Sequence, residues 1–95
     1  MRAILKVSRV QELRSTKVAG NPDPQNVRNI VLQELGGKHE NEYAVTLWGD
    51  SAQKEWAPGS LVYAVLRFQT KENKGQIYQS VTASCIINLN SYQNV

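Results

Sequence analysis

A two-residue alternation of apolar and polar side chains dominates the chain. In GSLVYAVLRFQTKE, residues 59–72, Val62, Ala64, Leu66 and Phe68 fall on one side, and Tyr63, Arg67, Gln69 and Lys71 on the other. In QIYQSVTASCIINL, residues 76–89, one parity holds Ile77, Val81, Ala83, Cys85, Ile87 and Leu89; the other holds Tyr78, Ser80, Thr82 and Ser84. Successive side chains of an extended chain point to opposite faces, so both segments predict long, half-buried strands. ENKG, residues 72–75, separates them as a short polar turn with a glycine available for positive φ. Upstream, EYAVTLWG sets Val45 and Leu47 against Thr46 and Trp48, and VRNIVLQEL sets Ile30 and Leu32 against Asn29 and Gln33. The glycine-containing GGKHEN, residues 36–41, joins these two as a hairpin loop. The first strand, AILKVSRV, alternates less cleanly: Ile4 and Val10 oppose Leu5 and Val7, which predicts cover on both faces. AGNPDPQN, residues 19–26, is rich in proline, glycine and asparagine and reads as a loop.

One stretch departs from the two-residue period. DSAQKEW, residues 50–56, fits about two helical turns, with Asp50 or Ser51 as cap and Pro58–Gly59 as terminator. The element order is strand, strand, strand, short helix, strand, strand. The chain is therefore predicted to be all-β. Its order is that of a five-stranded OB-fold barrel, with one short helix between strands 3 and 4 plugging one end.

Ninety-five residues, 41% of them apolar, suit one domain over 1–95 with a core of its own. No run of 18 apolar residues is present, which argues against a membrane-spanning helix. MRAILKVSRV lacks the apolar stretch and small-residue cleavage site of a signal peptide, so a cytoplasmic location is expected. Cys85 is the single cysteine, so neither an intramolecular disulfide nor a thiolate zinc cluster can form. Its parity predicts an inert, buried thiol. The 11 basic and 8 acidic residues give only +3, but they are unevenly placed. The first 30 residues hold Arg2, Lys6, Arg9, Arg14, Lys17 and Arg28 against Glu12 and Asp23. Laid along one groove, this segment, with Lys6, Arg14 and Arg28, would give it a positive field stronger than the net charge suggests; the charge placement by itself fits a solvated, charge-speckled edge strand better.

Catalytic chemistry has little to stand on. His39 is the single histidine, in a polar loop with no nucleophile set by a recognisable turn. Glu40, Glu42 and Asp50 match no metal-ligand spacing, and no phosphate-cradling glycine motif occurs. The expectation is a non-enzyme without cofactor or metal. The polar strand faces say more. Trp48, Tyr63 and Tyr78 take the outward parity of three strands, interleaved with Arg67, Gln69 and Lys71. Aromatics among basic and amide side chains make a stacking platform in an electrostatic groove for single-stranded nucleic acid, RNA as well as DNA. The same aromatics also fit a protein–protein interface, and Trp48, next to Gly49, also fits burial at a barrel corner. Trp56, just before Ala57–Pro58, reads as a packing residue sealing the barrel end.

Four stretches carry a resemblance: ILKVSRVQELRST, VRNIVLQE, YAVTLWGDSAQ and PGSLVYAVLRFQTKENKGQIYQSVTA. Together, in this order, they resemble the DNA-binding domain of bacterial single-stranded-DNA-binding proteins over nearly the whole chain. The resemblance implies that Trp48 stacks on bases, that Arg67, Gln69 and Lys71 meet phosphates from the family's fourth strand, and that Arg14 is a basic residue following its first. The chain departs from the family at Pro58, in place of a usual lysine, and at Leu66, in place of a common glycine. Its hairpin arm is shorter, with Asn73 near the place of a tryptophan. The sequence runs out at SYQNV without a Gly/Pro-rich tail and acidic tip, as in a tail-less or primosomal-accessory-like relative.

The expected function is binding of single-stranded DNA, without sequence preference, in replication, recombination or repair. The alternative is an OB-fold protein-interaction module, an accessory subunit of a replication assembly with no nucleic-acid binding of its own. A first strand apolar on both faces further predicts a homo-oligomer, dimer or tetramer.

Overall fold

Five strands close on one another through a ring of backbone pairings, and a sixth extends one side. The computed structural model describes residues 1–17, 19–37 and 39–89; Lys38 of the GGKHEN loop and the SYQNV segment lie outside the described residues. The strands are β1 (Arg2–Val10), β2 (Arg14–Thr16), β3 (Gln25–Glu34), β4 (Glu42–Trp48), β5 (Leu61–Asn73) and β6 (Gln76–Asn88); the single-turn helix α1 (Asp50–Gln53) separates β4 from β5. Their order is β1-β5-β6-β4-β3-β2, and a further β1–β3 pairing closes the ring. Neighbours are antiparallel except β4 and β6, which run parallel and meet at Thr46–Thr82. The all-β prediction holds, and β2 is a strand that the alternation did not announce.

The core fills the ring with the predicted inward residues: Leu5 and Val7 of β1, Ile30 and Leu32 of β3, Val45 and Leu47 of β4, and Val62, Ala64 and Leu66 of β5. Two β-bulges decide where alternation fails. In β1, Val7 pairs with Leu32 but Arg9 with Val31, so Ser8 is an extra residue. The slip turns Val10 toward the core, against the expectation that it opposes Leu5 and Val7, and leaves Ile4 outside with 49% exposure. In β6, Val65 pairs with Cys85 but Leu66 with Ala83, so Ser84 is extra. A one-residue slip exchanges the faces of everything beyond it. Ile86 is therefore the buried residue, whereas Cys85 and Ile87 face outward. This corrects the prediction of a buried thiol.

Beyond Leu66 the β5–β6 hairpin leaves the ring as an arm, exposed along Arg67–Asn73. Phe68 and Ile77, expected inside, are 40% and 73% exposed because no strand among the described residues packs over the arm. Phe68 instead meets Tyr43 edge-on at a centroid distance of 6.0 Å. The arm turns at Lys74 and Gly75, both at positive φ (53° and 79°). That is the geometry of the two-residue turn whose twist suits a hairpin, and glycine adopts it without a Cβ clash.

The helix is shorter than predicted. Gly49, at φ 66°, is its N-cap, with no side-chain cap; the Ser51 hydroxyl donates instead to the Trp48 carbonyl (3.0 Å). The chain is extended again at Lys54, and Trp56 folds back so that its indole N–H donates to the Ser51 carbonyl (2.8 Å). Trp56 is 5% exposed and lies with Ala52 in the core, the packing residue the sequence suggested.

Candidate nucleic-acid interface

The outward side chains of β2, β3, β4, β6 and β5 stand in rows set by cross-strand register. One row runs Arg14–Val27–Trp48: Arg14 pairs with Val27, which pairs with Trp48, and of the three Val27 is buried while Arg14 and Trp48 are exposed. The next runs Asn29–Thr46–Thr82–Arg67. Strands lie about 4.8 Å apart and alternate residues about 7 Å along, so each row is one step from the next. On the arm the same outward face continues with the Gln69–Ser80 and Lys71–Tyr78 pairs. Trp48 is 44% and Tyr78 53% exposed. The face therefore combines two exposed aromatics with Arg14, Arg67 and Lys71.

Its middle is held by side-chain hydrogen bonds. The Thr46 hydroxyl donates to Asn29 Oδ1 (3.0 Å), and Asn29 Nδ2 donates to Gln11 Oε1 (3.4 Å). A cavity of about 390 Å³ opens over this network, between β3, β4 and the base of the arm. Below the arm, the Tyr43 hydroxyl donates to Glu34 (2.7 Å). That hydrogen bond, with burial and the carboxylate charge, raises the Tyr43 pKa above 10.0. At the β1 edge, Arg9 and Glu42 form an ion pair (3.0 Å), with Arg9 largely exposed.

Three predicted site residues stand apart from this face. Arg28 pairs with Leu47 and so has inward parity. Its Nη1 donates to the Lys54 carbonyl (3.1 Å), and its buried Nε has no hydrogen-bond partner among the described residues. It braces the segment after α1. Tyr63 pairs with Ile4 on one side and Ile87 on the other. Half-buried between these two exposed isoleucines, it belongs to an apolar row on β1, β5 and β6. Lys6 is exposed on β1 beside that row, paired with Leu61. Sequence reasoning missed Asn29, Thr46 and Gln11 as part of the face. The outward parity of Asn29 and Thr46 marked them as accessible, but only the register joins them.

Of the loop residues considered for chemistry, His39 is exposed, and Glu40 accepts a hydrogen bond from the Gly37 backbone N–H (3.1 Å). No protein-family model matches this sequence, and a search of the curated proteins gives no match. No helix among the described residues is long and apolar enough to cross a membrane.

Proposed function

We propose that this chain is an OB-fold that binds single-stranded DNA by base stacking and phosphate contacts. The strand ring, with its short helix between β4 and β5, is consistent with that fold. The observation that carries the reading is the neighbourhood of Trp48. An exposed indole shares a cross-strand row with Arg14 and lies one step from the row that ends at Arg67; from that row the same outward face continues, on the side away from Trp48, along an arm bearing Lys71 and Tyr78. A base stacked on an aromatic contributes roughly 1–3 kcal/mol whatever its identity. Cations beside it neutralise phosphates and release counterions, so affinity falls as salt rises. Titrating the protein with oligo-dT tests the reading through tryptophan fluorescence. The expected result is quenching that weakens steeply with salt; unchanged fluorescence at low salt and high micromolar sites rejects it. If Trp48 and Tyr78 instead prove covered by another protein, the fold serves as an accessory interaction module.

The apolar row Ile4–Tyr63–Ile87 supports a second element of the proposal, self-association through β1 into a dimer or tetramer. Exposed apolar side chains adjoining across three strands form a patch of the kind that partners cover.

A further inference from the structure

The outward face carries one more row, beyond the middle of the proposed interface. Arg9 pairs with Val31, and Val31 with Ala44. On β3 and β4 this row lies two residues, about 7 Å, from the Asn29–Thr46 row. Val31 and Ala44 form an aliphatic wall of the cavity of about 390 Å³, whose other side is Gln79, Ser80 and Val81 at the base of the arm. β4 and β6 run parallel through Thr46–Thr82, so counting back in twos brings Ser80 level with Ala44 and Tyr78 level with Glu42. Ser80 and Ala44 share the lining of that cavity accordingly. Ring and arm are thus two banks of a cleft that leads away from Trp48. Gln69, Lys71 and Tyr78 stand on the arm's bank, and Arg9 on the ring's.

Arg9 differs from the other cations of this face in being paired. Its Nη2 donates to Glu42 Oε2 at 3.0 Å, whereas Arg14, Arg67 and Lys71 form no ion pair among the described residues. Glu42 lies diagonally from Arg9, one step beyond Ala44 on β4; the rows that carry Trp48, Arg67 and Lys71 hold no carboxylate. Both side chains stay accessible, Arg9 70% and Glu42 44% exposed. An exposed ion pair gains little over two hydrated charges. A phosphate accepts the same guanidinium N–H bonds as a carboxylate, so it can displace Glu42.

Resting on the proposed single-strand binding, we infer that Arg9 is a further phosphate contact and that Glu42 holds it in check. The Arg9–Glu42 pair is a built-in competitor of the nucleic-acid backbone, and binding exchanges the carboxylate for a phosphate. The exchange is nearly silent in counterions, because the bared Glu42 gathers a cation as the phosphate releases one. Removing the carboxylate therefore uncovers both the affinity and the salt dependence of this contact.

The test is a double-mutant cycle: oligo-dT affinity at several salt concentrations for wild type, Glu42→Gln, Arg9→Gln and the double variant. Both side chains are exposed, so folding should be undisturbed, and matching thermal melts check that. With Arg9 present, Glu42→Gln should tighten binding about three- to fivefold at low salt. Its salt slope should steepen by about 0.7, the value of one phosphate on a single strand. In the Arg9→Gln background the same substitution should gain less than about twofold and leave the slope unchanged. Gains of equal size in both backgrounds would assign the effect to simple repulsion between Glu42 and the strand. That result, or no gain from Glu42→Gln while wild type binds, overturns the inference and leaves single-strand binding standing. Failure of wild type and Glu42→Gln alike to bind overturns both.

Discussion

Two regions of the outer surface are built by the same rule and hold opposite chemistry. On β1, β5 and β6 the row is Ile4–Tyr63–Ile87, two isoleucines flanking an uncharged aromatic ring. On β3, β4, β6 and β5 it is Asn29–Thr46–Thr82–Arg67, polar throughout. Tyr63 and Arg67 share a strand and a parity, and four residues, about 13 Å, separate them. What distinguishes them is the neighbours that register supplies. Parity says which residues face outward; register says which act together. On the proposed reading, the first region meets a second copy of the chain and the second meets nucleic acid.

Both regions depend on the core beneath them, and the largest expected effect removes that support. Trp56→Ala opens a cavity at the helix end and takes away the indole's hydrogen bond to Ser51. It should cost about 3–5 kcal/mol of stability by urea denaturation. A cost below 1 kcal/mol would show that the end of the ring is sealed without it.

A charge in the apolar row separates the two regions. Ile4→Lys should leave stability within about 0.5 kcal/mol, because the side chain is half exposed. Light scattering should then give a monomer where wild type gives a dimer or tetramer, with oligo-dT quenching retained by the separated protomers. A monomeric wild type would end the self-association reading and leave the groove untouched.

The smallest effect concerns the joint between ring and arm. Tyr43 touches Phe68 at the start of the arm and donates to Glu34. Its pKa is raised by that hydrogen bond first, then by burial and the carboxylate's charge. Folding thus favours the protonated phenol. The contribution is fully present below pH 10 and is lost as pH rises through the raised folded value. Denaturant midpoints at pH 9 and pH 11 should fall further apart for wild type than for Tyr43→Phe; equal differences would show that the bond contributes nothing to folding.

Much of this fold was legible in the alternation, since the residues that fill the ring are those whose periodicity pointed inward. The failures have local causes. The extra residues Ser8 and Ser84 reverse faces partway along β1 and β6, and no residue type announces a bulge. Cys85 and Val10 were misplaced for that reason alone. Phe68 and Ile77 continue an inward pattern past the point where there is a core to enter. The helix ends early because the Trp56 indole takes the Ser51 carbonyl, a contact that requires the folded chain. In the candidate site, Trp48, Arg67, Gln69, Lys71 and Tyr78 were readable because parity and residue type agree. Arg14 came from the charge placement and the family resemblance, and its row with Trp48 is a matter of register. Arg28 stands apart from the face because it shares the inward parity of Ile30 and Leu32, while its charge alone suggested the surface.

The central claim is that Trp48 stacks a base while cations further along the same face, such as Lys71 on the arm, meet phosphates. Measuring oligo-dT affinity at several salt concentrations for wild type, Trp48→Ala and Lys71→Ala tests it directly. Trp48→Ala should lose roughly 1–3 kcal/mol of binding with an unchanged salt slope, because stacking releases no counterions. Lys71→Ala should lower the slope by about 0.7, the single-strand value for one phosphate contact, and lose little at high salt. Equal slopes in all three proteins, or a Trp48→Ala protein that binds as wild type per folded molecule, would contradict the account.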